Sequence, residues 1–211
     1  MKIAIGILVT LLIVVLVAIG TAYSGLYDVS ARSSHSPIVG WYLSTTARNA
    51  IEKRAVDIAV PNLDDETLMY GGINDYEAMC VGCHGAPGKS PGPIGLGLNP
   101  PAPDLQKSAQ RMSPAELFWV TKHGIRMTGM PAWGATHDDS AIWPVVAFTS
   151  RLPSLDKSGY QSLFAAAKGH GHHADDSANS DHAHDDGSSD VNETAKEADT
   201  TQEHDHSTHE H

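Results

Sequence analysis

Cys80-Val81-Gly82-Cys83-His84 is the stretch whose residue types and spacing carry the most chemistry. Two cysteines three apart set two thiols about one helical turn from each other. The histidine after the second completes C-x-x-C-H, the pattern of covalent c-type haem attachment. Each thiol can form a thioether to one vinyl group of the same porphyrin, and the adjacent imidazole is then held under the ring to ligate the iron. Other uses of C-x-x-C fit less well. A dithiol redox motif belongs in a βαβ setting that these Gly- and Pro-rich surroundings do not offer. A zinc site needs further ligands, and the chain has no third cysteine. An ordinary disulfide explains the spacing but not His84.

An iron held from one face by histidine can take a soft, neutral thioether on the other, which raises its reduction potential. Gly124-Ile125-Arg126-Met127-Thr128-Gly129-Met130-Pro131-Ala132-Trp133-Gly134 offers two such sulfurs, on Met127 and Met130. Met130 is preferred because Pro131 restricts the backbone that carries it. Taken alone, both methionines would read as core residues; the upstream motif gives one of them a role.

The elements that must position these groups are helices and one long loop. A helix is expected from about Gly72 through Cys80, with Asp64 or Asp65 capping a short turn before it. Gly72, Tyr76 and Cys80 then share one face, glycine leaving room for a crossing helix and tyrosine filling it. After His84, eleven glycines and prolines up to Pro103 exclude regular structure for some twenty residues and predict a long, stiff, ordered loop. Ser113-Pro114-Ala115-Glu116 opens the clearest helix, with Ser113 as N-cap, Glu116 completing a capping box, Leu117, Val120 and Thr121 inward, and Gly124 at the C-terminus. A further helix runs from about Ser140 to Arg151 with Ile142, Trp143, Val146, Ala147 and Phe148 apolar. Its start is expected to be irregular at Pro144, and Leu152-Pro153 stops it. A short helix covers Ser158–Lys168.

The N-terminal region is of another kind. From Ile3 to Ala22 only Thr10 and Thr21 are polar, and these 20 residues suffice to span a bilayer as one helix. Only passable cleavage sites follow, at Ala18-Ile19-Gly20 or Gly20-Thr21-Ala22, so an anchor is favoured over a cleaved signal. Lys2 at the start, with Arg32 the first downstream cation, puts the N-terminus in the cytoplasm and the rest outside. Ser44–Ala55 reads as a polar helix spacing the domain from the membrane, with Pro61 stopping it; His35 in the same linker reads as simply exposed.

Charge marks off the other end. Of 25 acidic residues, 12 lie in 169–211, where Lys196 is the one cation; residues 1–168 are balanced at 13 of each sign. The net charge of −11 therefore belongs to the tail. No nucleic-acid partner is expected. The tail mixes its carboxylates with His170, His172, His173, His182, His184, His204, His206, His209 and His211 and almost no apolar residues, so it should be disordered. Imidazole and carboxylate suit copper, zinc or nickel, which makes metal binding there a reading of its own, against that of a solvated acidic tail. The expected organisation is 1–24 anchor or signal, 25–67 linker with a helix, 68–168 haem domain and 169–211 tail.

With the haem motif, the Pro-rich loop, the Met130-Pro131 loop and a terminal aromatic helix in this order, the stretch from about Leu68 to Leu152 resembles the class I c-type cytochromes. The longer stretch Tyr27–Phe164, including His35-Ser36-Pro37 and Thr128–Trp133, looks like one group of membrane-anchored single-haem members. The resemblance implies an all-α fold in which the helix through Gly72 and Tyr76 crosses the terminal helix near Phe148. It implies one haem c on Cys80 and Cys83, with His84 as proximal and Met130 as distal ligand. Attachment outside the cytoplasm agrees with the anchor: a bacterial inner-membrane protein with its haem domain in the periplasm. Such an iron, closed on both faces, passes one electron at a time to a redox partner protein. The chain is then a carrier rather than an independent enzyme, and a possible subunit of a membrane oxidoreductase complex. Trp133 and its loop would form the transfer surface. The rival is a haem enzyme or gas sensor in which Met130 leaves the iron.

Roughly 85 residues make a marginal core, to which a covalently held porphyrin adds a large apolar body. The haem-free chain is accordingly expected to be poorly folded. A Cys80→Ala, Cys83→Ala double variant should lose helical circular dichroism and its sharp melting transition; native helix content in that variant would refute the expectation.

Overall fold

The structure is a computed structural model that describes residues 2–168. Among these the regular elements are helical. They are α1 (Lys2–Ser24), α2 (Pro37–Ala55), α3 (Glu66–Met79), α4 (Val81–His84), α5 (Pro93–Leu96), α6 (Leu105–Ser108), α7 (Pro114–His123), α8 (Asp139–Arg151) and α9 (Lys157–Ala166), with 3-10 turns at Trp133–Ala135 and Leu152–Ser154. The all-α expectation holds. Helix α1 is exposed along its whole length and is long and apolar enough to cross a membrane.

The core is built on the crossing of α3 and α8. A Cβ placed on Gly72 would run into the Pro144 carbonyl and lie 2.8 Å from Phe148 Cβ, so only glycine lets the two backbones meet here. Tyr76, one turn on, packs edge-on against Phe148 at 5.1 Å between ring centroids. Its hydroxyl donates to the Gly85 carbonyl at 2.7 Å, which ties α3 to the end of the haem motif. Around this contact Ile73, Tyr76, Phe148, Leu152, Tyr160 and Ala167 form one buried cluster that also seats α9. Leu117, Phe118, Ile142 and Val146 form a second between α7 and α8, with Phe118 stacked on Trp143 at 4.1 Å.

Helix α8 serves both clusters because adjacent i, i+4 pairs run along it as neighbouring stripes. Phe148 and Leu152 face the first cluster, and Ile142 and Val146 the second. Between them Val145 and Thr149 line a cavity.

Helix ends follow local chemistry. Ser113 and Glu116 make the expected capping box on α7, and Gly124, with φ 63°, closes it. Asp65, Asp138 and Asp156 accept backbone N–H groups at the starts of α3, α8 and α9. Accepting the Thr67 N–H, and then its hydroxyl, holds the Asp65 carboxyl below the usual carboxylate range.

Several boundaries differ from expectation. Helix α3 begins at Glu66 rather than near Gly72, because Asp65 caps the helix itself and the Gly71-Gly72 pair is carried by packing on α8. Helix α8 runs unbroken through Pro144. The N–H that proline lacks would have met the carbonyl of Ser140, a residue at the exposed first turn, so little is lost. The Pro-rich segment is not free of regular structure: it holds α5, with Pro93 at its first position, and α6, capped by Asp104. Helix α2 starts seven residues before the expected Ser44, at Pro37, and ends at Ala55 well short of Pro61. A turn with the Ile58 N–H on the Ala55 carbonyl ends it there and carries Ile58 into the second cluster. Helix α2 is also more than a spacer: it packs against α7 and buries Ala55.

Two measurements follow. Gly72→Ala should destabilise the haem-loaded protein by about 1–3 kcal/mol or more in denaturant titration, as overpacking of a tight core does, whereas Ser113→Ala should cost about 1 kcal/mol as a lost N-cap. Burial, above all other causes, pushes the phenols of Tyr76 and Tyr160 well above their ordinary value of 10.0. Both are neutral when folded, so their contribution is fully present below pH 10 and is lost as pH rises above it, where the unfolded chain ionises first. Stability should fall above pH 10, and less steeply in Tyr76→Phe; the same alkaline slope in wild type and variant would contradict this.

Candidate functional site

Cys80 ends α3, and α4 turns at once, with the Cys83 and His84 N–H groups both on the Cys80 carbonyl at 3.1 and 2.9 Å. That single turn brings both thiols and the imidazole to the wall of one cavity of ≈ 390 Å³, within the roughly 300–1,000 Å³ usual for cofactor pockets. The rest of the lining is largely apolar: Leu98 and the run Pro100–Pro103 from the loop, Leu117 and Val120 from α7, and Val145 from α8. Met130 lines it too, from the loop after α7.

Cys80 and Cys83 are not joined in a disulfide. Burial, followed by the nearby Asp75 carboxylate, pushes the Cys80 thiol up to about 12. A dithiol redox motif works through a depressed thiol pKa, so this environment speaks against that reading.

His84 is oriented by the loop. Its Nδ1 lies 2.8 Å from the Pro103 carbonyl oxygen. A carbonyl can only accept, so Nδ1 carries the proton and Nε2 keeps the lone pair that a metal needs. The loop is in turn fastened to the motif: the Gly92 N–H donates to the Gly82 carbonyl at 2.9 Å, and Ala86 and Lys89 pair in a short bridge. Lys89 also forms an ion pair with Glu77, which accepts the Tyr160 hydroxyl at 2.6 Å.

The two rival methionines are separated clearly. Met127 has φ 60° and is 92 % exposed, while Met130 is partly buried against the cavity. The Met130 backbone is held at both ends: its N–H donates to Thr128 Oγ1 at 3.1 Å, and its carbonyl accepts the Ile125 N–H at 3.3 Å. A Cβ on Gly124 would lie 2.7 Å from that carbonyl, so the glycine that ends α7 also makes room for the loop. Met79 and Met112 line the cavity as well, Met79 directly before Cys80 and Met112 packed on the second cluster.

Trp133 lines the cavity, with its ring 5.5 Å from that of His137. Sequence reasoning missed Pro103, which acts through a carbonyl that no side-chain pattern reveals, and Ile51 of α2, which also lines the cavity. The spacing Gly40, Ala47, Ile51, Ala55 marks one face of α2 and could have suggested it. The nine tail histidines lie outside the described residues. Among the described residues no group of three or more His, Cys, Asp or Glu side chains is gathered as for a metal ion.

A haem fits these residues. Two thiols and an imidazole share one wall, a bonded Nδ1 leaves Nε2 available, and the apolar remainder suits a porphyrin's faces. Residues 71–148, from α3 to Phe148 on α8, match the family model described as Cytochrome C oxidase, cbb3-type, subunit III. No curated protein and no solved structure matches the chain. A single-turn C-x-x-C-H motif against an apolar cavity, in an all-α frame and within that match, makes this region a class I-like c-type cytochrome domain, a haem-based electron carrier.

Proposed function

We propose that the protein carries one electron at a time through a single haem c, covalently held by Cys80 and Cys83 and ligated by His84 and Met130, at the periplasmic face of a bacterial inner membrane. The observation that carries this reading is the convergence of all four side chains on one cavity, with His84 Nδ1 already engaged by Pro103. When bound, the haem supplies an iron that takes up and gives back an electron without bond rearrangement in the protein.

The chain's own residues contribute orientation and exclusion. Pro103 holds the imidazole in one tautomer and one plane. Thr128 and Ile125 hold the Met130 backbone, so the thioether is presented at little conformational cost on a change of redox state. Leu98, Val120 and Val145 keep the pocket apolar, which favours the less charged, reduced state of the centre. A thioether ligand acts in the same direction.

The family model's description includes the words oxidase and subunit, which supports a role as an electron-carrying subunit, or attached carrier, of a membrane oxidoreductase complex. Helix α1 supports membrane attachment. The haem domain in this reading extends before Leu68 to include α2, whose Ile51 lines the cavity. A metal-binding role for the tail is separate from the haem, and copper or zinc titration of a tail-deleted form tests it.

Met130→Ala should convert a stable low-spin spectrum into one that binds carbon monoxide or cyanide quickly, and should lower the reduction potential. Met127→Ala should leave both unchanged. Fast carbon monoxide binding by the unaltered protein would favour the gas sensor or haem enzyme instead.

A further inference from the structure

The first two turns of α2 expose a set of large apolar side chains that the haem domain does not cover. Ile38 is 78 % exposed, Trp41 67 % and Tyr42 62 %, and Val39 and Leu43 are also exposed. On a helical wheel Ile38, Tyr42, Asn49 and Glu52 share an exposed side turned away from the packed residues Ile51 and Ala55, with exposed Trp41 at its edge. That outward side is apolar at its N-terminal end and polar at Asn49 and Glu52. The polarity therefore changes along the axis of the helix as well as across it. A helix lying flat on a membrane would keep its apolar stripe to the end; the pattern here suits a helix with its first turns in an apolar setting and the rest in water.

The chain before it continues the same character. Helix α1 ends at Ser24, and residues 25–36 lead to α2. Tyr23, Leu26, Tyr27 and Val29 are exposed along that path. Tyrosine and tryptophan are the residues that favour the headgroup level of a bilayer, and here Tyr23, Tyr27, Trp41 and Tyr42 occur around one short connection. Fully extended, that connection reaches on the order of 40 Å, which is the upper bound on the distance from the end of α1 to the start of α2. No acidic residue occurs from Val29 through Ile51, while Arg32 and Arg48 do, which suits a surface of anionic headgroups.

We propose that the first two turns of α2 insert into the lipid–water interface of the bilayer that α1 spans, giving the haem domain a second membrane contact. This inference rests on the reading of α1 as a membrane span. Its consequence is orientation. The Ser33 carbonyl, in the connection, accepts the Asn99 Nδ2 at 2.7 Å, and Asn99 adjoins Pro100 of the cavity lining. The membrane-proximal connection is thus bonded to the rim of the haem cavity. Two contacts with the bilayer fix that rim near the membrane surface and favour a membrane-embedded electron partner over one that diffuses in solution.

The test uses full-length, haem-loaded protein in vesicles of phosphatidylcholine and phosphatidylglycerol, with one nitroxide label at a time on Ile38→Cys, Tyr42→Cys, Leu12→Cys or Gln161→Cys. The absorption spectrum checks that each variant keeps its haem environment. Labels at Ile38 and Tyr42 should have an oxygen-to-nickel-chelate accessibility ratio at least about twofold above that at Gln161, as expected for a site at the headgroup–acyl boundary. Ratios at Ile38 and Tyr42 equal to that at Gln161, with Leu12 deep in lipid, would overturn the inference and leave the anchor standing. A water-accessible Leu12 would remove the anchor and the inference together. Protection at Ile38 that requires another membrane protein in the vesicle would assign the patch to a partner's helix and equally overturn it.

Discussion

The crossing of α3 over α8 at Gly72 is the constraint on which the other parts depend. With no side chain at Gly72 the α3 backbone reaches the Pro144 carbonyl, and Tyr76 and Phe148 then meet edge to edge one turn away. Because Cys80 ends the same helix, the depth of this crossing sets where the haem motif begins. The Tyr76 hydroxyl on the Gly85 carbonyl fixes where it ends. A looser crossing would move both thiols and the imidazole relative to the cavity wall that α8 supplies through Val145 and Thr149.

Around that frame the loops work as fasteners more than as connections. The segment after His84 bonds back to the motif through Gly92 and Gly82, then presents the Pro103 carbonyl to the histidine ring. Its prolines lower the entropy lost on ordering, so a long loop can be held by a few hydrogen bonds. The loop after α7 uses a local set: Gly124 with positive φ, Thr128 bonding in both directions, and Pro131 after the methionine. Each loop thus delivers one backbone-controlled group to the same space, a carbonyl from the first and a thioether from the second.

How far the site could be read in advance depended on whether the decisive group was a side chain with a spacing rule. Cys80, Cys83 and His84 have one, and so does the capping box of Ser113 and Glu116, which the fold contains as expected. Gly72 and Tyr76 could be read as a crossing face because a small and a large residue sat four apart. The start of α3 could not, since two consecutive glycines argue against a helix until their neighbour on α8 is known. Pro144 misled for the same reason: its local penalty is small where the missing hydrogen bond falls at an exposed helix end. Helix α2 was underestimated because its inward face is mostly small residues, which have little hydrophobic signal yet allow close packing on α7.

The sequence by itself determined the chemistry of the motif, the all-α character of the domain, the apolar N-terminal helix and the concentration of negative charge after residue 168. These are properties of residue type and near spacing, and they need no knowledge of distant neighbours. Tertiary structure alone decided which carbonyl holds His84 and that α2 joins the cavity wall. Each of these is a meeting of groups far apart in the chain, and it follows from close packing about α8, whose adjacent stripes face three different neighbours at once.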